Sequence, residues 1–225
     1  TLIQEQNSYA GVTNKLLAKK ARKICVAYDG MERFFEKDKI ILTGNPVRQG
    51  LRNHHISRED AIRSFGLDPS KKTILIVGGS LGARTINNCV MEGLDKIKTS
   101  GAQFIWQTGK IYIDEARAAV AQAGELPMLH VTDFISDMAA AYSAADLIIS
   151  RAGAGSISEF CLLQKPVILV PSPNVAEDHQ TKNALALVNK NAALYIKDAA
   201  AKEALLDKAV ETVKQPETLK SLSTN

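Results

Sequence analysis

Apolar residues recur along this chain with two different periods, and the alternation between them predicts its architecture. From residue 73 onward, six short runs (73–77, 103–107, 128–132, 146–149, 167–170 and 193–196) read as nearly continuous β-branched or aliphatic stretches. Runs of that kind suit parallel strands covered on both faces, since a solvated face would call for a polar residue at every second position. Between them lie stretches of helical periodicity at 85–99, 111–123, 137–144, 156–164, 178–189 and 199–214. Strand-helix alternation at this spacing predicts an α/β fold with an open, Rossmann-like, doubly wound parallel sheet.

The pattern differs before residue 44. A helix over 8–21, a strand over 24–28, a short helix over 31–35 and a strand over 39–43 are expected there. Two strands do not make an independent α/β domain. Gly44-Asn45-Pro46-Val47-Arg48 then punctuates the chain, because proline fixes its own φ and biases the preceding residue to extended geometry. The predicted division is 1–43 as the remnant of a preceding domain, 44–56 as a linker, 57–214 as a nucleotide-binding domain, and 215–225 as a frayed tail. Thr1-Leu2-Ile3 enters without a starting methionine or a polar lead, which predicts that more chain precedes it.

Composition excludes some classes of function. Of 225 residues, 45% are hydrophobic and 23% charged, ordinary for a globular protein, and the net charge of +4 is scattered. Lys19-Lys20-Ala21-Arg22-Lys23 closes a helical stretch, where cations complement the helix dipole, so it reads as a solvated helix end and not as a nucleic-acid site. Cys25, Cys89 and Cys161 are widely spaced with no CxxC pair, which predicts reduced, packed thiols and no disulfide or zinc frame. His54, His55 and His130 have no metal-like spacing. No apolar run is long enough to span a bilayer.

Candidate chemistry lies where strands meet helices. Gly78-Gly79-Ser80-Leu81-Gly82-Ala83-Arg84 follows the first run, and Arg151-Ala152-Gly153-Ala154-Gly155-Ser156 follows the fourth. Glycine lets backbone amides approach a ligand closely, and a helix N-terminus adds N–H groups and about half a positive charge. Two such termini can cradle a diphosphate without a metal. A dinucleotide site would want an acid at the end of the next strand, but Ile105-Trp106-Gln107-Thr108-Gly109 has none. Ser156-Ile157-Ser158-Glu159 has the form of a capping box, so Glu159 either caps the helix start or accepts hydrogen bonds from a ribose diol. Pro171-Ser172-Pro173-Asn174, with His179 and Gln180 beyond it, lies at the same sheet edge and could read sugar hydroxyls. Phe134 and Ile135, on that edge too, either flank a base or cover a helix; Trp106 reads as core.

Taken together, these residues resemble the MurG family of peptidoglycan N-acetylglucosaminyltransferases. The similar segments are Glu5-Gln6-Asn7 with Gly11-Val12-Thr13-Asn14; Thr43 to Arg48; Gly78 to Arg84 with Asn87; Phe134-Ile135-Ser136-Asp137-Met138; Arg151 to Glu159; and Asp178-His179-Gln180 with Asn183-Ala184. They run in order from about residue 3 to about residue 196. The resemblance implies a GT-B fold, with this chain as its C-terminal half plus a remnant of the N-terminal domain.

The implied reaction is inverting transfer of N-acetylglucosamine from UDP-GlcNAc to the muramyl 4-hydroxyl of lipid I, giving lipid II. By resemblance, the Ile135 backbone would meet uracil and Glu159 the ribose hydroxyls. Ala154, Gly155 and Ser156, with Ser80, would take the diphosphate. Gln180, with His179, would read the sugar, and Arg48 and Asn7 would approach from the hinge. No cofactor or metal is implied, and the general base is expected in the N-terminal domain. Gln4 stands where the family often has histidine. The implied partners are the donor, lipid I through the absent domain, and the cytoplasmic membrane face, approached peripherally; no nucleic acid is implied. The alternatives are another UDP-sugar enzyme of GT-B type and a non-catalytic interaction module.

Overall fold

The computed structural model describes residues 1–52 and 56–225; His54 and His55, and part of the expected linker, lie outside the described residues. Two parallel sheets organise the chain. Strands β1 (Leu2–Glu5), β2 (Lys23–Val26) and β3 (Ile40–Leu42) form the small one. Helix α1 (Val12–Ala18) connects β1 to β2, and α2 (Gln49–Arg52) and α3 (Arg58–Ser64) follow β3.

The large sheet holds β4 (Thr73–Val77), β5 (Gln103–Gln107), β6 (Leu129–Thr132), β7 (Leu147–Ser150), β8 (Val167–Leu169) and β9 (Leu194–Tyr195). Its connections carry α4 (Arg84–Glu92), α5 (Leu94–Thr99), α6 (Ile113–Ala123), α7 (Met138–Ala144), α8 (Ala154–Leu162) and α9 (His179–Val188). Helices α10 (Ala201–Val213) and α11 (Pro216–Thr224) follow the last strand. All strands run parallel in the order β6-β5-β4-β7-β8-β9, the doubly wound arrangement expected from the sequence.

The continuous apolar strands are explained by cover on both sides. Ile74, Ile76, Phe104, Trp106 and Ile149 face a core with Ile86, Val90, Leu205 and Val213. Leu75, Val77, Ile105 and Ile148 face the other way, onto Ile62, Tyr142, Phe160 and Leu187. Trp106 is fully buried, and its indole N–H donates to Asn87 Oδ1 at 3.0 Å.

Several expectations need correction. Residues 215–225 do not fray: α11 starts with Pro216 in its first turn and buries Leu219 and Leu222. The stretch before residue 44 has three strands where two were expected, because Leu2–Glu5 pairs along β2 and adds Ile3 to a small core with Ile24, Val26, Met31 and Phe35. The expected helix 85–99 breaks at Gly93, where a Cβ would sit 2.9 Å from the Cys89 carbonyl oxygen and 2.2 Å from Leu206 Cδ1 of α10. Cys161 is exposed on α8 and not packed.

The two parts meet through side chains. Asn183, fully buried on α9, accepts the Ser8 N–H at 2.8 Å through Oδ1 and donates to Asn7 Oδ1 at 2.9 Å. Asn45 donates to the Gln6 carbonyl and to Ser158 Oγ, each at 3.0 Å. Buried Glu5 gathers the turn beyond β1: its carboxylate accepts the Asn7 and Gly11 amides at 3.0 Å and Asn14 Nδ2 at 2.8 Å.

Candidate functional site

The site begins with strand order. Val77 of β4 stands opposite Ser150 of β7, so the two glycine loops leave neighbouring strands side by side where the order reverses. In an open α/β sheet this is where a crevice forms. Helices α4 and α8, each nine residues long, start from these loops, and neither N-cap residue, Ala83 nor Gly153, supplies a side-chain cap. First-turn amides left uncapped are available to an anion.

The glycines of the two loops are there for different reasons. Gly82 adopts φ +82°, and a Cβ on it would lie 2.2 Å from the Thr108 carbonyl oxygen. A Cβ on Gly78 would lie 2.5 Å from the Ala83 amide nitrogen. Packing therefore demands glycine at 78 and 82, whereas Gly79 is set by its φ of +80°. At the second, a Cβ on Gly153 or Gly155 would meet nothing within 4 Å, and Gly153 is extended with φ −70°. Glycine inside a helix costs roughly 0.5–1 kcal/mol relative to alanine. Gly155 brings that cost without a packing return, and it leaves the first turn of α8 bare to an approaching ligand.

The capping-box reading of Ser156 and Glu159 is overturned. Helix α8 starts at Ala154, so Ser156 lies inside the first turn and Glu159 in the second. Glu159 is buried, and its carboxylate is held from two directions. Arg48 donates through Nε to Oε1 at 3.0 Å and through Nη2 to Oε2 at 3.3 Å. The Tyr142 hydroxyl donates to Oε2 at 2.7 Å. The bond to Glu159 raises the Arg48 pKa, and burial followed by the same carboxylate raises that of Tyr142. Both groups are held in their protonated, donating forms.

Gln180 joins two loops. Its Oε1 accepts the Ser172 N–H at 2.9 Å and the Ala152 N–H at 3.3 Å. Beside it opens a cavity of about 550 Å³, lined in part by Gly78, Arg84, Arg151, Ser172 and Asn174. Arg151 braces the rim: it donates to the Val170 and Pro171 carbonyls at 3.0 and 3.2 Å and pairs with Asp198. The second Asp198 oxygen accepts Thr85 Oγ1 at 2.9 Å, tying this rim to the start of α4.

Of the other expected residues, Ser80 is exposed on the first loop. The Ile135 side chain is buried in the core while Phe134 beside it is 53% exposed. Asn7 is engaged with Asn183 and Glu5. His179 is half-buried at the start of α9, with Nδ1 2.8 Å from the Ala176 carbonyl oxygen in the turn just before it. Sequence reasoning gave no role to Tyr142, Asn183 or Asp198. Asn183 left one signal, a polar residue beside Ala184 on the buried side of a helix. Among the described residues, no three His, Cys, Asp or Glu side chains gather as a metal site requires.

The family model described as Glycosyltransferase family 28 C-terminal domain matches residues 73–225, from β4 through α11. The chain belongs to glycosyltransferase family 28. Family members similar to it include a UDP-N-acetylglucosamine--N-acetylmuramyl-(pentapeptide) pyrophosphoryl-undecaprenol N-acetylglucosamine transferase of Phocaeicola vulgatus, 98% identical over 225 residues. A transferase of the same name from Bacteroides fragilis is 73% identical over 226 residues. Each aligns with the whole chain, which spans 60% of the relative's length. The crystal structure of Acinetobacter baumannii MurG superposes with a TM-score of 0.76 at 31% identity, covering 99% of this chain and 60% of that one. As a family 28 domain the chain has the GT-B type of C-terminal fold expected from the resemblance.

Proposed function

We propose that this chain carries the donor half of an inverting transferase that moves N-acetylglucosamine from UDP-GlcNAc to the muramyl 4-hydroxyl of lipid I. The observation that carries the reading is the pairing of Val77 with Ser150, which sets two uncapped helix starts beside one crevice. The name borne by the 98% identical relative supports the choice of donor and acceptor.

In this reading, the acceptor oxygen forms a bond to the anomeric carbon from the face opposite the phosphate, and the bond from that carbon to the β-phosphate oxygen breaks. The electron pair leaves on UDP, and the hydroxyl proton passes to a base in the longer relatives' remaining length. The task of Ala154, Gly155, Ser156 and Ser80 is to stabilise charge growing on the β-phosphate, a contribution larger in the transition state than in the bound donor. Glu159 accepts from the ribose diol, the Ile135 backbone meets uracil, and the Gln180 amide, whose oxygen is already committed to two loops, offers Nε2 to the sugar. His179 flanks the sugar, and Arg48 and Asn7 close the hinge side.

Lipid I would be met by residues outside this chain, and the whole enzyme would sit peripherally at the cytoplasmic membrane face. Among the described residues no helix is long and apolar enough to cross a membrane. The chain alone is expected to bind UDP weakly and to transfer nothing, because the acceptor is not positioned. Titration calorimetry with UDP, UDP-GlcNAc and NAD on the wild type and Glu159→Ala tests the reading. Uridine nucleotides should bind, NAD should not, and the variant should lose affinity; preference for NAD, or no nucleotide binding at all, overturns it.

A further inference from the structure

Glu159 is held by donors of two kinds. Arg48 reaches it from the linker with a side chain 62% exposed, whereas Tyr142 reaches it from within the core at 3% exposure. The Tyr142 ring stands edge-on to Phe160, centroids 5.8 Å apart at 90°, so its hydroxyl has one fixed direction. That direction ends on Glu159 Oε2 at 2.7 Å, the short separation of a hydroxyl donating to an ionised carboxylate. A carboxylate offers about four acceptor positions, and three are filled here. A vicinal diol needs two. The exposed, linker-borne Arg48 is the partner that can withdraw, and the buried phenol is the one that stays.

We propose that Tyr142 is a positioning residue for nucleotide recognition: by fixing Oε2 of Glu159 it turns Oε1 toward the ribose diol and sets the preference for ribonucleotides over 2′-deoxyribonucleotides. This rests on Glu159 as the ribose acceptor. The elevated pKa of the buried phenol adds that the donor persists across the working pH range. Without it, the carboxylate is left to the exposed Arg48 and can rotate, so a ligand that presents both hydroxyls loses its oriented partner. A ligand lacking the 2′-hydroxyl has less to lose.

The test compares UDP and dUDP affinities for wild type, Tyr142→Phe, Glu159→Gln and the double variant. Phenylalanine keeps the ring against Phe160, and a cooperative thermal transition in each variant shows that the fold is retained. Wild type should favour UDP. Tyr142→Phe should weaken UDP about tenfold while moving dUDP less than about twofold, the scale of one hydrogen bond to a charged group. The double variant should lose no more preference than Glu159→Gln alone, because the phenol acts through the carboxylate. Equal weakening of both nucleotides by Tyr142→Phe, or unchanged binding, overturns the proposal while leaving Glu159 in place. Unchanged preference in Glu159→Gln, or no preference in wild type, overturns the ribose assignment itself and the proposal with it.

Discussion

Asn183→Ala should loosen the joint between the two sheets. Asn183 is fully buried, and its Oδ1 is 2.8 Å from the amide of Ser8, itself only 6% exposed. Truncation strips that N–H of its acceptor in a place where water does not easily reach, at a cost of about 1–3 kcal/mol. The Asn7 side chain loses a donor at 2.9 Å, but it is partly exposed and can turn to water; the Ala152 contact at 3.4 Å is long and adds little. Alanine recovers about 0.5 kcal/mol of helix propensity. The net loss is about 0.5–2.5 kcal/mol, and for a chain of this length each kcal/mol lowers Tm by about 2–4 °C. Scanning calorimetry should therefore show a fall of about 1–10 °C, and amide hydrogen exchange should show the Ser8 N–H losing protection. Asn183→Asp keeps an acceptor for Ser8 but turns its second oxygen toward the Ala152 carbonyl, and should be destabilised as well. An unchanged Tm with Ser8 still protected would refute the reasoning, because the joint would then rest on other contacts.

Gly155→Ala should stabilise the fold by about 0.5 kcal/mol, since its Cβ meets nothing, yet weaken UDP binding by crowding the first turn of α8; thermal melts with and without UDP separate the two effects. Thr212→Val should raise stability by about 1 kcal/mol, because the buried Thr212 hydroxyl has no hydrogen-bond partner among the described residues; denaturant titration reads it. Burial lowers the His130 pKa below its ordinary 6.5, so the unfolded chain takes up the proton first as pH falls. This contribution to stability is complete above about pH 6.5 and is lost below it. Tm should drop on acidification, by less in His130→Gln.

The sheet was legible in the sequence because strands buried on both faces cannot hide: Thr73–Val77 and Gln103–Gln107 are entirely buried, and their apolar runs say so. Helices with a plain amphipathic repeat, such as Ile113–Ala123, were legible for the same reason. What escaped depended on partners distant in sequence. Leu2–Glu5 is a strand only because Lys23–Val26 lies beside it. Leu219 and Leu222 look like a ragged end until the rest of the core covers them. Helix Arg58–Ser64 carries a local signal of its own, Ser57 accepting the Asp60 N–H as its cap.

At the site, the loops were visible as glycine-bearing turns, but the surroundings of Glu159 were not. Its donors come from 17 and 111 positions away, and no local spacing encodes them. The S-x-x-E pattern misled because Gly153, with extended geometry, starts the helix three residues before Ser156.

A crystal structure of this chain with UDP bound puts the central claim to its most direct test. The expected result is the diphosphate over the starts of α4 and α8, with oxygens about 3 Å from the amides of residues 154–156, and the ribose diol on Glu159 with Arg48 displaced. A diphosphate bound away from both helix starts, or a ribose turned away from Glu159 while Arg48 stays paired with it, would contradict the account.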